Sequence, residues 1–276
     1  MTALHLACVA RHTALALRLG APLEFIYVLD RHPETAHKRD LSGSIGLGAQ
    51  ESLLADLAAL DEKRGRIAME SGHLLLEGAR QRAVADGVAS PEIRQRHGEL
   101  VETLTEVEQE ARLFVLGKRG EADESAPQHL GGSLERVMRA LHQPILVVTR
   151  EFNAPRRFLI AFDNSATTRK GVETIASSPL FRGLACHVVT AGTNSSTVEQ
   201  HLAWAKKTLA TAGIDVEAAV VVEGDAEKAI PDYIKANRID MLMMGAYGRS
   251  RIRQLLVGST TTAMIRTSAV PLLLLR

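Results

Sequence analysis

The sequence has little cysteine, almost no net charge and no long apolar run. Its two cysteines, Cys8 and Cys186, are too few for a disulfide framework or a cysteine zinc site. The 33 basic and 32 acidic residues leave a net charge of +1, so no overall field attracts nucleic acid or an anionic membrane. The apolar runs are too short to span a bilayer, and the first residues lack the pattern of a secretory signal. We therefore expect a cytoplasmic protein with a local binding site, and neither nucleic acid nor a membrane as partner.

Apolar and charged residues make up 46% and 24% of the 276 residues, which is typical of a folded globular protein. At about 150 residues per domain, the length is enough for two domains. In the second half, short apolar runs alternate with segments that have helical spacing, the pattern of βαβ units. The pattern predicts strands at 157–163, 185–191, 216–222, 240–246 and 270–276, and helices at 197–212, 225–237 and 259–267. The second half is therefore expected to be an α/β domain with a parallel five-stranded sheet and helices on both faces.

The two halves of the sequence resemble each other. LFVLGKRG at 113–120 matches MLMMGAYG at 241–248, and PILVV at 144–148 matches PLLLL at 271–275. The segment 150–155, REFNAP, has the polar and proline content of a linker. We therefore predict two tandem copies of one fold, at residues 1–150 and 151–276.

The first half is less regular, and its opening strand is uncertain. Strands are predicted at 23–29, 91–97, 112–117 and 145–149. The chain before them is short, so either LHLACV is a strand followed by a short helix, or residues 3–19 form one helix and the first strand is missing. The length of the corresponding helix in the second half favours the single helix.

A long helical region is predicted at 49–85. Five side chains recur on one face of it: Leu53, Leu57, Leu60, Arg64 and Ile67. We expect this face to pack against the rest of the protein. A partner or an apolar ligand along the face is the alternative, since glycines at 65, 72 and 78 interrupt the helix and allow a close approach.

The end of the predicted strand at 240–246 carries a pattern typical of phosphate binding. Gly245 and Gly248 are followed by nine residues and then by Gly258, after which Ser259 and Thr260 open a helix. Glycine lets the backbone approach a ligand without a Cβ, and the free N–H groups at the start of a helix carry partial positive charge. The two hydroxyls add hydrogen-bond donors.

Turns of this kind also occur in α/β domains that bind no nucleotide, so the position of this one in the fold matters. Arg249, Arg251 and Arg253 lie in the loop, where one of them can neutralise phosphate charge. The loop follows the fourth strand of its half. In an open parallel sheet, ligands bind beyond the carboxyl ends of the strands where the strand order reverses, which brings Asp163, after the first strand, close to Gly245.

These residues resemble the nucleotide motif of the universal stress protein family, Gly-x2-Gly-x9-Gly-Ser/Thr. Gly245, Gly248, Gly258 and Ser259 match the motif in full, and the likeness extends over essentially the whole chain as two tandem domains. The resemblance implies sheets with the strand order 3-2-1-4-5 and ATP at the strand ends. It also implies pairing of domains or subunits through their last strands.

The resemblance assigns two further residues to the site. Asp163 corresponds to the family's first-strand aspartate, which contacts the adenosine part of the nucleotide. Val188 corresponds to the second-strand residue whose backbone contacts adenine. The expected binding residues are therefore Asp163, Val188, Gly245, Gly248, Arg249, Gly258, Ser259 and Thr260.

The first half departs from the motif. Its sequence reads Gly117-x2-Gly120-x10-Gly131, one residue too long, and Gly132 stands where the motif has a hydroxyl. Ala10, or no residue, takes the place of the first-strand aspartate. We therefore predict that the first half is a degenerate domain and that only the second half binds nucleotide.

The expected function is stress-related binding of ATP, with or without magnesium, as a regulatory ligand and without catalysis. The first half is expected to serve dimerisation or regulation, through a homodimer or through pairing of the two domains within the chain. A slow ATPase or nucleotidyl hydrolase is one alternative, but no carboxylate follows the phosphate loop to hold a metal or activate water. A structural or apolar-ligand module is another. No metal site is expected, since none of the ten histidines lies in a ligand pattern, and His187 is expected to be a hydrogen-bonded core residue.

Overall fold

The computed structural model describes residues 12–29, 47–118, 132–149, 154–246 and 259–276, with the backbone alone at 47–55, 132–133 and 259–260. The helices are α1 (12–19), α2 (Leu47–Ala85), α3 (Leu100–Glu106), α4 (Gly132–Ala140), α5 (Ala166–Ser177), α6 (Ser196–Thr211), α7 (Ala226–Ala236) and α8 (Ser259–Thr267). The strands are β1 (Glu24–Leu29), β2 (Glu92–His97), β3 (Phe114–Gly117), β4 (Ile145–Val148), β5 (Arg157–Ala161), β6 (Ala185–Ala191), β7 (Asp215–Val222), β8 (Met241–Gly245) and β9 (Leu272–Leu275).

The second half forms a parallel sheet with helices on both faces, as its alternating pattern predicts. Its strands lie in the order β7-β6-β5-β8-β9, and each neighbouring pair is parallel. Successive side chains of β5 point to opposite faces, so Phe158 joins a cluster with α5 and α6 while Leu159 joins one with α7 and α8. The α/β fold with a mostly parallel sheet is thus confirmed.

The two halves share one sheet through their last strands. β4 pairs antiparallel with β9, and Leu146 faces Leu273 in the register. The described strands therefore form one seven-stranded sheet, β3-β4-β9-β8-β5-β6-β7, and a separate pair of parallel strands, β1 and β2, in place of the two five-stranded sheets expected. The physical reason is that every residue of β4 and β9 is buried, so neither strand can be left as a solvent-exposed edge.

The alternative strand within LHLACV lies outside the described residues, and so do residues 3–11 of the single helix that was favoured at 3–19. Residues 12–19 are helical, which both alternatives for the N-terminus require. In the described ranges, no strand pairs with both the β1–β2 pair and β3, so the two sheets remain separate.

The face of α2 that was expected to pack against the protein is exposed where its side chains are described. Leu57, Leu60 and Ile67 are 49%, 50% and 59% exposed. Only the second part of the helix packs on β1 and β2, through buried residues such as Leu76 and Ala79. The packing prediction is therefore wrong for these three residues, because the described part of the protein places no neighbour beside them.

The shared sheet leads to a prediction about cooperativity. We expect Leu273→Ala to lower the free energy of unfolding by about 2–5 kcal/mol, since Leu273 is only 5% exposed at the junction of the halves. Both halves should unfold in one transition, because the strand pair β4–β9 cannot be kept by either half alone. Urea unfolding followed by Trp204 fluorescence, which reports the second half, and by far-UV circular dichroism, which reports the whole chain, will measure both effects.

The matched control is Leu17→Ala. Leu17 is 50% exposed on α1, so its truncation should change the free energy of unfolding by less than about 0.5 kcal/mol. Two separate transitions in the wild-type protein would contradict the shared sheet.

Candidate functional site

The candidate site begins where β5 ends and α5 starts. Asp163 follows the strand, and its Oδ1 accepts hydrogen bonds from the Ser165 N–H at 3.0 Å and from the Thr168 hydroxyl at 2.7 Å. Ser165 in turn caps α5, because its Oγ accepts a hydrogen bond from the Thr168 N–H at 3.3 Å. A short local sequence, Asp-x-Ser-x-x-Thr, thus fixes one carboxylate oxygen at the start of the helix.

Asp163 remains a charged group that a ligand can reach. Partial burial raises the pKa of Asp163, but the hydrogen bonds from Ser165 and Thr168 outweigh it, and the net pKa shift is downward. The residue is exposed, and no described residue forms a hydrogen bond with its Oδ2. This oxygen is an acceptor directed at the carboxyl edge of the sheet, suited to a hydroxyl group or a cation.

Gly245 ends β8 and lies against the start of α5. A Cβ at this position would be 3.1 Å from Cγ2 of Thr168 and 3.4 Å from Cγ2 of Thr167. The contact with Thr168 would be tighter than an ordinary van der Waals separation, so the glycine allows β8 and the beginning of α5 to approach each other. The structure therefore brings Gly245 and Asp163 together through Thr168, as predicted from the position of the motif.

Val188 lies in the middle of β6 and is fully buried. Its backbone is in register with Ile160 of β5 on one side and Ala219 of β7 on the other. Nearer the carboxyl edge, the Thr190 hydroxyl donates a hydrogen bond to the Phe162 carbonyl at 2.7 Å. Val188 thus lies inside the sheet, in the strand next to β5, and not at the carboxyl edge where Asp163 lies.

The predicted phosphate-binding residues are described in part. Gly248, Arg249 and Gly258 lie outside the described residues, and of Ser259 and Thr260 only the backbone is described. α8 is described from Ser259, where the described residues resume, to Thr267. Because β8 and β9 are parallel, the helix that joins them begins at the carboxyl edge of the sheet, the edge that also carries Asp163.

The sequence interpretation missed a polar network that holds the turn after β5. Asn164 has a positive φ of 57°, and its Oδ1 accepts a hydrogen bond from Arg169 at 2.9 Å. The Arg169 guanidinium lies 3.9 Å from the ring centroid of Trp204, on α6. His201, also on α6, is 3.2 Å from the Asn164 amide nitrogen. An asparagine directly after a strand-end aspartate was the available signal, because asparagine tolerates the left-handed conformation.

His187 was expected to be a hydrogen-bonded core residue, and the structure confirms this. His187 is 6% exposed, and its two ring nitrogens lie 2.9 Å from the Tyr233 hydroxyl and 3.1 Å from a carboxylate oxygen of Glu217. Across the described ranges, no three histidine, cysteine or acidic side chains come together in a way that could hold a metal ion.

The corresponding edge of the first half is described only at its beginning. Gly117 ends β3, and the next residue, Lys118, donates a hydrogen bond to the carbonyl of Ser268 at 2.9 Å. Gly120 and Gly131 lie outside the described residues, and Gly132 is the first residue of α4. The carboxyl edge of β3 therefore contacts the segment between α8 and β9.

We predict that Thr168→Val raises the pKa of Asp163, because it removes a hydrogen bond to the charged form. Since the pKa of Asp163 is lower in the folded chain, its stabilising effect is present above the ordinary aspartate pKa of about 3.9 and is lost as the pH falls through the folded pKa. The variant should therefore lose about 1 kcal/mol at pH 7, and its difference from wild type should shrink in acid. An NMR titration of the aspartate carboxyl carbons and unfolding between pH 7 and pH 3 will measure this.

Thr174→Val is the control, because Thr174 lies on the same helix but donates its hydroxyl hydrogen bond to the carbonyl of Lys170. It should leave the pKa of Asp163 unchanged. An equal shift in both variants would show that the Thr168 hydroxyl does not set the charge of Asp163.

Gly245→Ala should lower the free energy of unfolding by about 1–3 kcal/mol, since the new methyl group would press on the Thr168 side chain. Gly65→Ala is a control that should change the free energy of unfolding in the opposite direction. Gly65 lies inside α2 with no atom within 4 Å of the added methyl group, so alanine should stabilise the helix by about 0.5–1 kcal/mol. Thermal unfolding will compare the two variants, and a stabilising Gly245→Ala would show that this approach is not tight.

In the described part of the chain, none of the helices combines the length and apolar character needed to cross a membrane.

Comparison with known proteins places this architecture in a family. The sequence model of the universal stress protein family matches the chain twice, over residues 2–149 and 155–276. Universal stress protein Slr1230 of Synechocystis sp. is 36% identical over 265 residues, which cover 95% of this chain and 92% of that protein. The fold is similar to that of a universal stress protein from Archaeoglobus fulgidus, with a TM-score of 0.63 at 16% identity over 97% of this chain and 90% of the other. Protein PA1789 of Pseudomonas aeruginosa gives a TM-score of 0.58 at 17% identity over 97% of this chain and 86% of its own. The chain belongs to the universal stress protein family and carries the family's domain twice.

Proposed function

We propose that the second half of the chain, residues 151–276, binds an adenine nucleotide, ATP with or without magnesium, at the carboxyl edge of β5 and β8. The nucleotide acts as a regulatory ligand in a cytoplasmic stress response. The first half, residues 1–150, has lost the site and serves regulation or assembly.

The observation that carries the proposal is the state of Asp163. One of its oxygens is held by Ser165 and Thr168, and the other accepts no hydrogen bond from a described residue. The net downward shift of its pKa keeps the carboxylate ionised at neutral pH. An ionised carboxylate accepts hydrogen bonds and donates none, which suits the hydroxyl groups of a ribose.

The position of Asp163 in the sheet supports the same proposal. β5 lies between β6 and β8 in the sheet. After β5, the chain adds β6 and β7 on one side of it and then crosses to the other side to add β8 and β9. Such a point, where the strand order reverses, leaves a crevice between the connecting loops at the carboxyl edge. In this sheet that point lies between β5, which Asp163 follows, and β8, which Gly245 ends.

The glycine motif supports a phosphate group at the other end of the ligand. Gly245, Gly248, Gly258 and Ser259 match the spacing of the family's motif, and α8 begins at Ser259 on this edge. The free N–H groups at the start of a nine-residue helix favour an anion there. The nucleoside is then expected at Asp163 and the phosphates at α8.

The proposed ligand role includes no chemical step. Hydrolysis of ATP needs a group that positions water and a metal held by protein ligands. The residues that match the motif supply glycine backbone and hydroxyl groups, which hold phosphate but do not activate water.

The full-length protein incubated with ATP and magnesium should therefore release no phosphate above background. Release that is lost in Gly258→Val would show that the protein is an ATPase.

We predict that Asp163→Asn weakens binding of a fluorescent ATP analogue by the full-length protein about tenfold or more, because a hydrogen bond to a charged group contributes about 1.5–3 kcal/mol. The full chain is the right sample, since β4 and β9 share one sheet. Equilibrium titration should give one site per chain in the wild type.

Asp225→Asn is the matched control. Asp225 caps α7 by accepting a hydrogen bond from the Glu227 N–H, and asparagine caps a helix equally well, so affinity should not change. Equal affinity of wild type and Asp163→Asn would overturn the assignment of Asp163. Two equivalent sites per chain would overturn the assignment of the first half as degenerate.

A further inference from the structure

The longest helix of the protein carries an apolar stripe that nothing in the described structure covers. α2 has 39 residues, about 58 Å of helix, whereas its counterpart α6 in the second half has 16. The four large apolar side chains of the stripe are about half exposed or more: Leu57 49%, Leu60 50%, Ile67 59% and Leu74 62%. Exposed leucine and isoleucine at this density on one helix mark an interaction surface.

The stripe has the spacing of a coiled coil. Leu60, Ile67 and Leu74 are seven residues apart, and Leu53 precedes them at the same interval in the sequence. Leu57 stands three residues before Leu60, at the second position of a heptad seam, and Arg64 and Ser71 follow it at that position. The pattern thus extends over three heptads.

The stripe lies on a different side of α2 from the side that packs on the protein. Gly72, Leu76 and Ala79 are buried against β1 and β2. The fit there is close, because a Cβ at Gly72 would be 2.5 Å from Cε1 of Tyr27. At about 100° per residue, Leu74 points nearly opposite to these buried residues. A partner can therefore lie along the stripe while α2 stays packed on its own protein.

We propose that the stripe is the contact between two copies of this chain, which pair as an antiparallel two-helix coiled coil through α2. The symmetry axis passes between residues 65 and 66. In this register Leu57 of each copy meets Leu74 of the other, Leu60 meets Ser71, and Ile67 packs on the aliphatic stem of Arg64. All four exposed apolar residues of the stripe are then covered.

Charges beside the stripe favour this register. Lys63 of each copy comes next to Glu70 of the other, which gives two ion pairs across the interface. Of the described residues, none forms an ion pair with either side chain within the chain. The two charges are thus unpaired in one copy and complementary between two.

A parallel arrangement fits less well. It would place Arg64 of one copy against Arg64 of the other inside the seam, and Asp56 against Asp61 at its edge. Like charges in these positions destabilise a coiled coil. The antiparallel arrangement avoids both contacts and also aligns the two helix dipoles favourably.

Sedimentation velocity of the full-length protein will test the proposal. Wild type should sediment as a dimer at micromolar concentration. Leu74→Glu should weaken dimerisation at least a hundredfold, because a carboxylate would replace the leucine that faces Leu57 of the other copy at both ends of the seam. Val84→Glu makes the same change on the same helix at a side chain that is 52% exposed but off the stripe, and it should dimerise like wild type. Circular dichroism and melting temperature will establish that both variants are folded.

A charge exchange tests the register itself. Lys63→Glu should weaken the dimer at least tenfold, because the introduced carboxylate of each copy would face Glu70 of the other, and adding Glu70→Lys should restore wild-type affinity. A monomeric wild type, a dimer that Leu74→Glu leaves intact, or a double variant that stays weak would overturn the proposal. Binding of wild type to phosphatidylglycerol vesicles without self-association would assign the stripe to a membrane surface instead, and would also overturn it.

Discussion

The antiparallel pairing of β4 with β9 is the constraint on which the rest of the structure depends. Both strands are short, apolar and buried on both faces, so each needs a neighbour on either side. Their pairing also merges the cores. One hydrophobic cluster contains Phe114 and Ile145 from the first half together with Leu159 and Leu242 from the second. The two copies of the domain therefore share one hydrophobic cluster and one sheet, although they are two repeats in sequence.

The same pairing sets the direction of the two carboxyl edges. Because β4 and β9 run in opposite directions, the carboxyl edge of β3 and β4 lies at the amino end of β9. The hydrogen bond from Lys118 to the Ser268 carbonyl joins these two places. The candidate site at Asp163 and the degenerate edge at Gly117 thus lie at opposite ends of the shared sheet. A ligand at one end can affect the other only through the sheet or the helices packed on it.

Local patterns in the sequence predicted the individual elements of both halves. In the first half, the strands expected at 23–29, 91–97, 112–117 and 145–149 correspond to β1 to β4, and the helical region at 49–85 corresponds to α2. In the second half, the strands β5 to β9 follow from alternation. The approach of Gly245 to Thr168, which donates a hydrogen bond to Asp163, follows from the ends of neighbouring parallel strands. The merged sheet could not be predicted in detail, because strand pairing between halves is a contact between distant segments. The exposure of Leu60 on α2 was missed because a helical apolar face has the same spacing whether the chain itself or a partner covers it.

The two halves have diverged by changing different parts of one fold. The second half keeps a short crossover helix, α6, whose Trp204 supports Arg169 and, through it, the turn that carries Asn164 next to Asp163. The first half has Ala10 or no residue where the aspartate stands, and its crossover helix is more than twice as long. In the described part of α2, the side chains of Leu57, Leu60 and Ile67 are about half exposed or more. The two proposals thus assign different kinds of ligand to the two halves: a nucleotide to the carboxyl edge of the second half, and a second copy of the chain to the exposed apolar stripe of the first.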